Sequence, residues 1–125
     1  MRTISSSAAP AVIGAYSQAM RVGDTVYLSG QIPLDPATQV LCSEDIALQI
    51  KQVIKNIDAL CVAAGGSLAD IVKITVYVID LSDYSLINDS IAAHFLEPYP
   101  ARAVVQVVGL PRGAKIEMDA IMVLR

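Results

Sequence analysis

The chain has 125 residues, of which 54% are hydrophobic and 17% charged, and its formal net charge is −3 at pH 7. The acidic balance and the absence of any run of Lys or Arg argue against nucleic-acid binding, and no stretch reaches the ~20 apolar residues of a membrane helix. A chain of this length is expected to form one domain, residues 1–125, and its surplus of apolar residues predicts an oligomer that buries part of them.

The termini and the cysteines point to a reducing compartment. Residues 1–5 lack the apolar core of a secretion signal, and Cys42 and Cys61 are too few for a disulfide framework. We therefore expect a cytoplasmic protein in which Cys61, on an apolar helical stripe, is a small core residue.

The first half of the chain predicts a hairpin and then a helix. Residues 17–21 and 25–29 read as strands joined by a turn at residues 22–24, and residues 30–38 read as a loop. Apolar residues then recur every three or four positions from Ile46 to Ala64, which indicates an amphipathic helix. We expect Ser43 to be its N-cap and Gly65-Gly66 to end it.

The second half predicts a strand, a helix and a final hairpin. Residues 67–70 have capping-box spacing, and residues 71–79 alternate as a strand. In that strand Lys73, Thr75 and Tyr77 share one face, while Val72 shares the other with three alternating apolar residues. A second helix is expected over residues 83–95 with Ser82 as its cap. The last two strands, residues 102–108 and 115–123, are expected to pair as a tight hairpin.

This order of elements predicts the α+β class. Few helices beside mostly antiparallel strands imply one sheet with both helices on one face. The other face also carries apolar residues, so we expect it to be covered by an oligomer whose sheets meet.

Arg102 is the charged residue that the sequence makes most informative. It begins an otherwise apolar strand, and the nearest acid, Glu97, lies beyond a turn between two prolines. A guanidinium has five donors in a planar fork and is costly to bury without a partner. On the residues alone, a structural ion pair with a distant Asp or Glu is the favoured reading. The other reading is that Arg102 binds a carboxylate from outside the chain.

Other candidate groups stay ambiguous on the residues alone. Glu117 and Asp119 share one face of the last strand, where a carboxylate either serves as an acid or base beside a cleft or is simply solvated. The hydroxyls of Tyr16 and Ser29 either line a cleft or bond nearby backbone. The single histidine, His94, the lack of a zinc-type Cys/His cluster and the lack of a glycine-rich phosphate loop give no support for a metal or a nucleotide site.

Several segments together resemble the Rid family of reactive intermediate deaminases, also called the YjgF-type family. The resemblance covers nearly the whole chain. It rests on residues 9–18, 28–33 and 72–78, on Asn88, and on residues 100–102 followed by residues 116–118.

The resemblance implies a chorismate-mutase-like α+β fold and a homotrimer in which the sheets form a central barrel. It implies sites between subunits that hydrolyse 2-imino acids and their enamine precursors (2-aminoacrylate, 2-iminopropanoate, 2-iminobutanoate) to 2-keto acids and ammonia. No cofactor and no metal are expected, because an imine is already electrophilic. The other readings left open are a regulatory trimer that binds keto acids without turnover, and a ribonuclease or translation inhibitor.

The resemblance also assigns roles to residues. Arg102 grips the substrate carboxylate, and Glu117 orients or activates the water. The Ser29 hydroxyl and the Gly30 backbone contact the imine end or the carboxylate. The pocket is lined by Tyr16, which is grouped with Arg102 and Glu117 as catalytic, and by Asn88.

Two positions depart from the family pattern, and one distance conflicts with it. Val104 and Val108 stand where many members have a cysteine and a small or basic residue, which affects substrate preference more than activity. In a tight final hairpin, Arg102 and Glu117 lie about 13 Å apart along the sheet. A substrate of three or four carbons cannot span that distance. We therefore expect that the neighbouring subunit supplies Glu117, or that the hairpin register is shifted.

Overall fold

A computed structural model describes residues 1–125 as a six-stranded sheet and two α-helices. In chain order the elements are β1 (Arg2–Ile4), β2 (Ala19–Val22), β3 (Thr25–Gln31), α1 (Ile46–Ala63), β4 (Ile71–Val78), α2 (Tyr84–His94), β5 (Ala101–Gln106) and β6 (Ile116–Val123). Neither helix is long and apolar enough to cross a membrane.

The strand order in the sheet is β1-β2-β3-β6-β4-β5. Every neighbouring pair is antiparallel except β4 and β5, which are parallel and are connected through α2. A parallel pair needs a crossover of this kind, because its connection must return to the same end of the sheet.

The predicted tight hairpin between the last two strands is wrong. β4 lies between them and pairs with β6 on one side, with Tyr77 opposite Glu117, and with β5 on the other, with Ile74 opposite Arg102. The physical reason is burial. Ile74, Val76 and Val78 of β4 are fully buried, which a central strand achieves and an edge strand does not.

The core lies on one face of the sheet, beneath both helices. Alternate residues of β4 and β6 join the apolar stripe of α1 and the buried Ile87 and Ile91 of α2 in one cluster of 23 buried residues. The predicted α+β architecture, with both helices on one face, is therefore confirmed. The opposite face stays open in the single chain, with Tyr27 and Val105 half exposed.

Local details correct three smaller expectations. Asp45, not Ser43, caps α1, because its carboxylate accepts from the Leu48 N–H. Ser43 Oγ accepts from the N–H of Asp45 itself, which lies outside the helix. Ser82 does not cap α2. A short 3₁₀ turn capped by Asp80 precedes that helix.

Val72 is the third correction, since it is exposed rather than buried. A register shift between Ile71 and Lys73 turns it outward, so Ile71 takes the core position. The capping box at Ser67 and Asp70 is confirmed, and so is the end of α1 at Gly65, which has φ +94°.

Two fully buried polar side chains of α1 fix neighbouring segments of the chain: Asn56 fixes the loop after β3, and Gln49 fixes the residue before β6. Asn56 donates to the carbonyl oxygens of Leu34 (3.0 Å) and Ile32 (3.3 Å), and Gln49 accepts from the Lys115 N–H at 2.9 Å. A buried carbonyl without a partner is costly, so the Asn56 amide determines where the loop after β3 lies.

We expect Asn56→Leu to destabilise the fold. The substitution keeps the branched shape and the number of heavy atoms of the side chain but leaves two backbone carbonyls without their donor, a loss of about 1–3 kcal/mol. Urea unfolding measures the change. Gln52→Ala is the matched control, since Gln52 bonds only Asn56. Equal effects of the two substitutions would contradict the assignment.

Candidate active site

Arg102 is held against α2 by two neutral side chains. Its Nη1 donates to Asn88 Oδ1 at 3.0 Å, and its Nη2 donates to the Tyr84 hydroxyl at 2.7 Å. The guanidinium carbon also lies 5.4 Å from the centre of the Tyr84 ring, which is a cation–π distance. Tyr84 and Asn88 are four residues apart, so they lie on one face of the helix.

No carboxylate of the chain neutralises Arg102. The two ion pairs of the structure are Arg21–Asp24 and Arg125–Asp70, so the structural ion pair considered above is not formed. The strand is also less buried than expected, because β5 is an edge strand and Arg102 is half-buried. The guanidinium therefore keeps its positive charge and three of its five donors for an external group.

An open cavity of about 440 Å³ adjoins Arg102. It lies between α2 and the segment before β5, and its walls include Asn88, Ile91 and Tyr99. We call this the Arg102 half-site.

Glu117 belongs to a different cavity, of about 390 Å³, on the open face of the sheet. Its walls include Tyr16, Ser29 and Gly30, three of the residues expected in the site. The Glu117 carboxylate lies directly against Gly30, where a Cβ atom would come within 2.6 Å of Glu117 Oε2. We call this the Glu117 half-site.

A bulge in β3 shapes the Glu117 half-site. The pairing with β6 shifts between Leu28 and Gln31, so that both of these residues are buried and the two residues between them are displaced. The Ser29 hydroxyl donates to the Ser17 carbonyl at 2.6 Å, which leaves its oxygen as an acceptor. Tyr16 is 47% exposed, and its hydroxyl accepts from the Ile13 N–H at 3.4 Å.

The environment of Glu117 favours its protonated form. Burial raises the pKa of Glu117, and the negative charge of Asp119 on the same face of β6 raises it further. Asp119 is itself fixed by Tyr77, whose hydroxyl donates to its carboxylate at 2.9 Å; this bond raises the pKa of Tyr77. A carboxyl group with a raised pKa holds its proton up to a higher pH than usual, which suits a group that exchanges protons with a ligand.

The two half-sites do not meet within one chain. Arg102 is in register with Ile74 on the helix-covered face, whereas Glu117 is in register with Tyr77 on the open face. The two residues lie on β5 and β6, which are two strand spacings apart, and their partners in β4 are three residues apart. The backbones of Arg102 and Glu117 are therefore about 14 Å apart. The prediction that the neighbouring subunit supplies Glu117 therefore remains open, while a shifted final hairpin does not occur.

Sequence reasoning missed Tyr84, the second partner of Arg102, and the Tyr77–Asp119 bond. The four-residue spacing of Tyr84 and Asn88 was the available signal, but it needs the pairing of β5 beside α2 to acquire meaning. His94 is exposed and its Nδ1 contacts the Ser90 carbonyl. No group of three or more His, Cys, Asp or Glu side chains is placed to hold a metal ion.

Comparisons with known proteins agree on one family. Residues 6–124 match the family model described as "Endoribonuclease L-PSP". The 2-iminobutanoate/2-iminopropanoate deaminase of Bos taurus is 43% identical over 122 residues, which cover 98% of this chain and 89% of the bovine protein.

Solved structures give the same result. RidA from the Antarctic bacterium Psychrobacter sp. PAMC 21119 has a TM-score of 0.96 and 49% identity, with 99% of this chain and 100% of that chain covered. TdcF from E. coli, solved with bound serine, has a TM-score of 0.92 and 38% identity, with both chains fully covered.

Asp119→Asn is expected to lower the pKa of Glu117. The substitution removes the like charge but keeps an oxygen to accept from Tyr77, so burial alone then holds the pKa up. A carboxyl ¹³C NMR titration measures the pKa. Asp89→Asn, on the exposed side of α2, removes an equal charge from the other face and is the control. An unchanged Glu117 pKa in the Asp119→Asn variant contradicts the coupling.

Proposed function

The chain belongs to the Rid (YjgF-type) family, and from that membership we propose that it hydrolyses reactive 2-imino acids, and the enamines that form them, to 2-keto acids and ammonia. The observation that carries this proposal is the guanidinium of Arg102, held by two neutral side chains and matched by no carboxylate of the chain. A small 2-imino acid supplies the missing carboxylate, and a planar fork binds such a group through two parallel hydrogen bonds.

In this proposal the active site is shared between subunits of a homotrimer. Because Arg102 and Glu117 lie on opposite faces of the sheet, one small substrate reaches both only if they come from different chains. The open face with its half-exposed Tyr27 and Val105 supports such an assembly, since packing against a neighbour removes this apolar surface from water.

The proposed chemistry needs one water molecule and one proton carrier. Water adds to C2 of the imine, a C–O bond forms, and the electron pair of the C=N bond moves to nitrogen. Glu117 takes the proton from this water and returns it to nitrogen. Glu117 next takes the hydroxyl proton of the resulting carbinolamine and passes it to nitrogen. The C–O bond becomes C=O as the C–N bond breaks, which releases ammonia and the 2-keto acid. The raised pKa of Glu117 suits this exchange, because the carboxyl group must both accept and donate.

The remaining residues of the two half-sites have binding roles in this scheme. The Ser29 hydroxyl oxygen and the Gly30 backbone face the imine end or the carboxylate, and Tyr16 closes the cavity beside them. Asn88 fixes one edge of the Arg102 guanidinium, so it determines how the fork presents its other donors.

Binding without turnover is the second candidate. The neighbour TdcF was solved with bound serine, which has a carboxylate but no C=N bond, so a site of this family accepts a ligand that cannot be hydrolysed in this way. The description of the family model names an endoribonuclease, but the net charge of −3 gives this chain no electrostatic basis for RNA affinity.

We expect Arg102→Ala to lower kcat/KM for 2-iminopropanoate at least about 10- to 150-fold, because the loss of even one of the two hydrogen bonds between charged groups costs about 1.5–3 kcal/mol. The imine is generated from alanine with an amino-acid oxidase, and its decay is followed. Arg2→Ala is the charge-matched control on an exposed strand. A wild-type protein no faster than Arg102→Ala contradicts the deaminase proposal. Calorimetric binding of pyruvate without hydrolysis would then favour the second candidate.

Mixing inactive variants tests whether the site is shared. Arg102→Ala and Glu117→Ala subunits are unfolded together, refolded at equal concentrations and assayed. Random assembly joins an intact Arg102 to an intact Glu117 at about one quarter of the subunit interfaces, so about one quarter of the wild-type activity is expected to return. Each variant refolded alone is the control. Activity no higher than that of the single variants contradicts a shared site.

A further inference from the structure

Two residues other than glycine have left-handed backbone conformations, and they contact each other. Gln39 has φ +62° and Arg112 has φ +60°. Such conformations strain a residue with a side chain and persist where the surroundings impose them. Arg112 Nη1 donates to the backbone oxygen of Gln39 at 3.1 Å.

The side chain of Gln39 extends this contact to a third loop. Its Oε1 accepts from the Ala11 N–H at 3.1 Å, and its Nε2 donates to the Pro36 carbonyl at 2.6 Å. Gln39 therefore joins the segment before β2, the loop after β3 and the turn before β6.

The segment over residues 11–16 depends on this bond. It is exposed and has neither helix nor strand. Gln18 holds the chain just before it, through the Pro10 carbonyl at 2.8 Å, and Ser29 holds it just after, through the Ser17 carbonyl at 2.6 Å. Within the segment, the hydrogen bond from Ala11 to Gln39 is the one that reaches another part of the chain.

The loops joined at Gln39 are those that form the Glu117 half-site. Ile13 and Tyr16 come from the segment, Ile32 from the loop after β3, and Pro111 from the turn that contains Arg112. Gln39 does not line the cavity, so it acts on the cavity only through these loops.

We propose that Gln39 is a positioning residue for the Glu117 half-site. Its side chain holds residues 11–16 against the cavity and so fixes Tyr16 beside Glu117, while Arg112 holds Gln39 in its strained conformation. The kinetic consequence rests on the proposed function. The tether, by which we mean the hydrogen bond from the Ala11 N–H to Gln39 Oε1, does not depend on that function.

Glycine is the informative substitution, because it separates the turn from the tether. Glycine adopts positive φ without strain, so Gln39→Gly relieves the backbone and removes only the side-chain bonds. If Gln39 only makes the turn, the protein is stabilised by this substitution. A positioning residue loses its hold on the segment although the fold is no less stable.

Amide hydrogen exchange measured by NMR tests the tether directly. In Gln39→Gly we expect the protection of the Ala11 amide to fall about 2- to 10-fold, the range for one neutral hydrogen bond, at an unchanged or higher Tm. Gln39→Glu keeps the reach and the acceptor for Ala11, so it is expected to retain the protection. Unchanged protection in Gln39→Gly overturns the proposal, as does equal loss in both variants.

Kinetics separate this proposal from the proposed function. If the wild type hydrolyses 2-iminopropanoate, Gln39→Gly is expected to raise KM about 2- to 10-fold, more than it lowers kcat, and Gln39→Glu to restore KM. An unchanged KM overturns the positioning role. If the wild type does not hydrolyse imines, the proposed function fails, and the exchange of the Ala11 amide still decides whether Gln39 tethers the segment.

Discussion

The arrangement of the candidate site depends on the burial of one strand. β4 has three fully buried side chains on the face beneath the helices, and it can bury them only in the middle of the sheet. From that position it pairs with both β5 and β6 and separates them. The two-residue alternation of strands then places Arg102 on the covered face and Glu117 on the open face. A hydrophobic requirement of the core thus determines that the cation and the acid lie apart.

Each charged group is prepared for a partner that the single chain does not supply. Arg102 is oriented by an amide and a phenol, which accept hydrogen bonds without neutralising its charge. Glu117 lies near Asp119 and is partly withdrawn from water, so its environment opposes a negative charge. A bound anion stabilises the first group, and a nearby cation or a proton stabilises the second. The single chain therefore holds two groups whose electrostatic requirements it does not meet itself.

Local features of the fold were predictable from the sequence, and long-range ones were not. The apolar stripe of α1, its end at Gly65 and the capping box at Ser67 depend on residues only a few positions apart, and all three occur. The pairing of β5 beside β4 depends on which strand buries more surface, and sequence adjacency suggested the wrong neighbour. In the candidate site, too, the long-range contacts were not predictable from the sequence. The resemblance to the Rid family made Arg102 and Glu117 the candidates, but the contact of Tyr84 with Arg102 requires knowing that α2 lies over β5.

The contact between Gly30 and Glu117 restricts how this protein can vary. Any side chain at position 30 begins with a Cβ atom 2.6 Å from a carboxylate oxygen, closer than two such atoms approach in proteins. Glycine is encoded by GGN, and each single-nucleotide change that replaces it with another amino acid adds at least that atom. Every missense variant one mutational step from this codon therefore displaces the Glu117 carboxylate or the bulge in β3. At this position the steric constraint falls on the presence of a side chain, whatever its polarity or size.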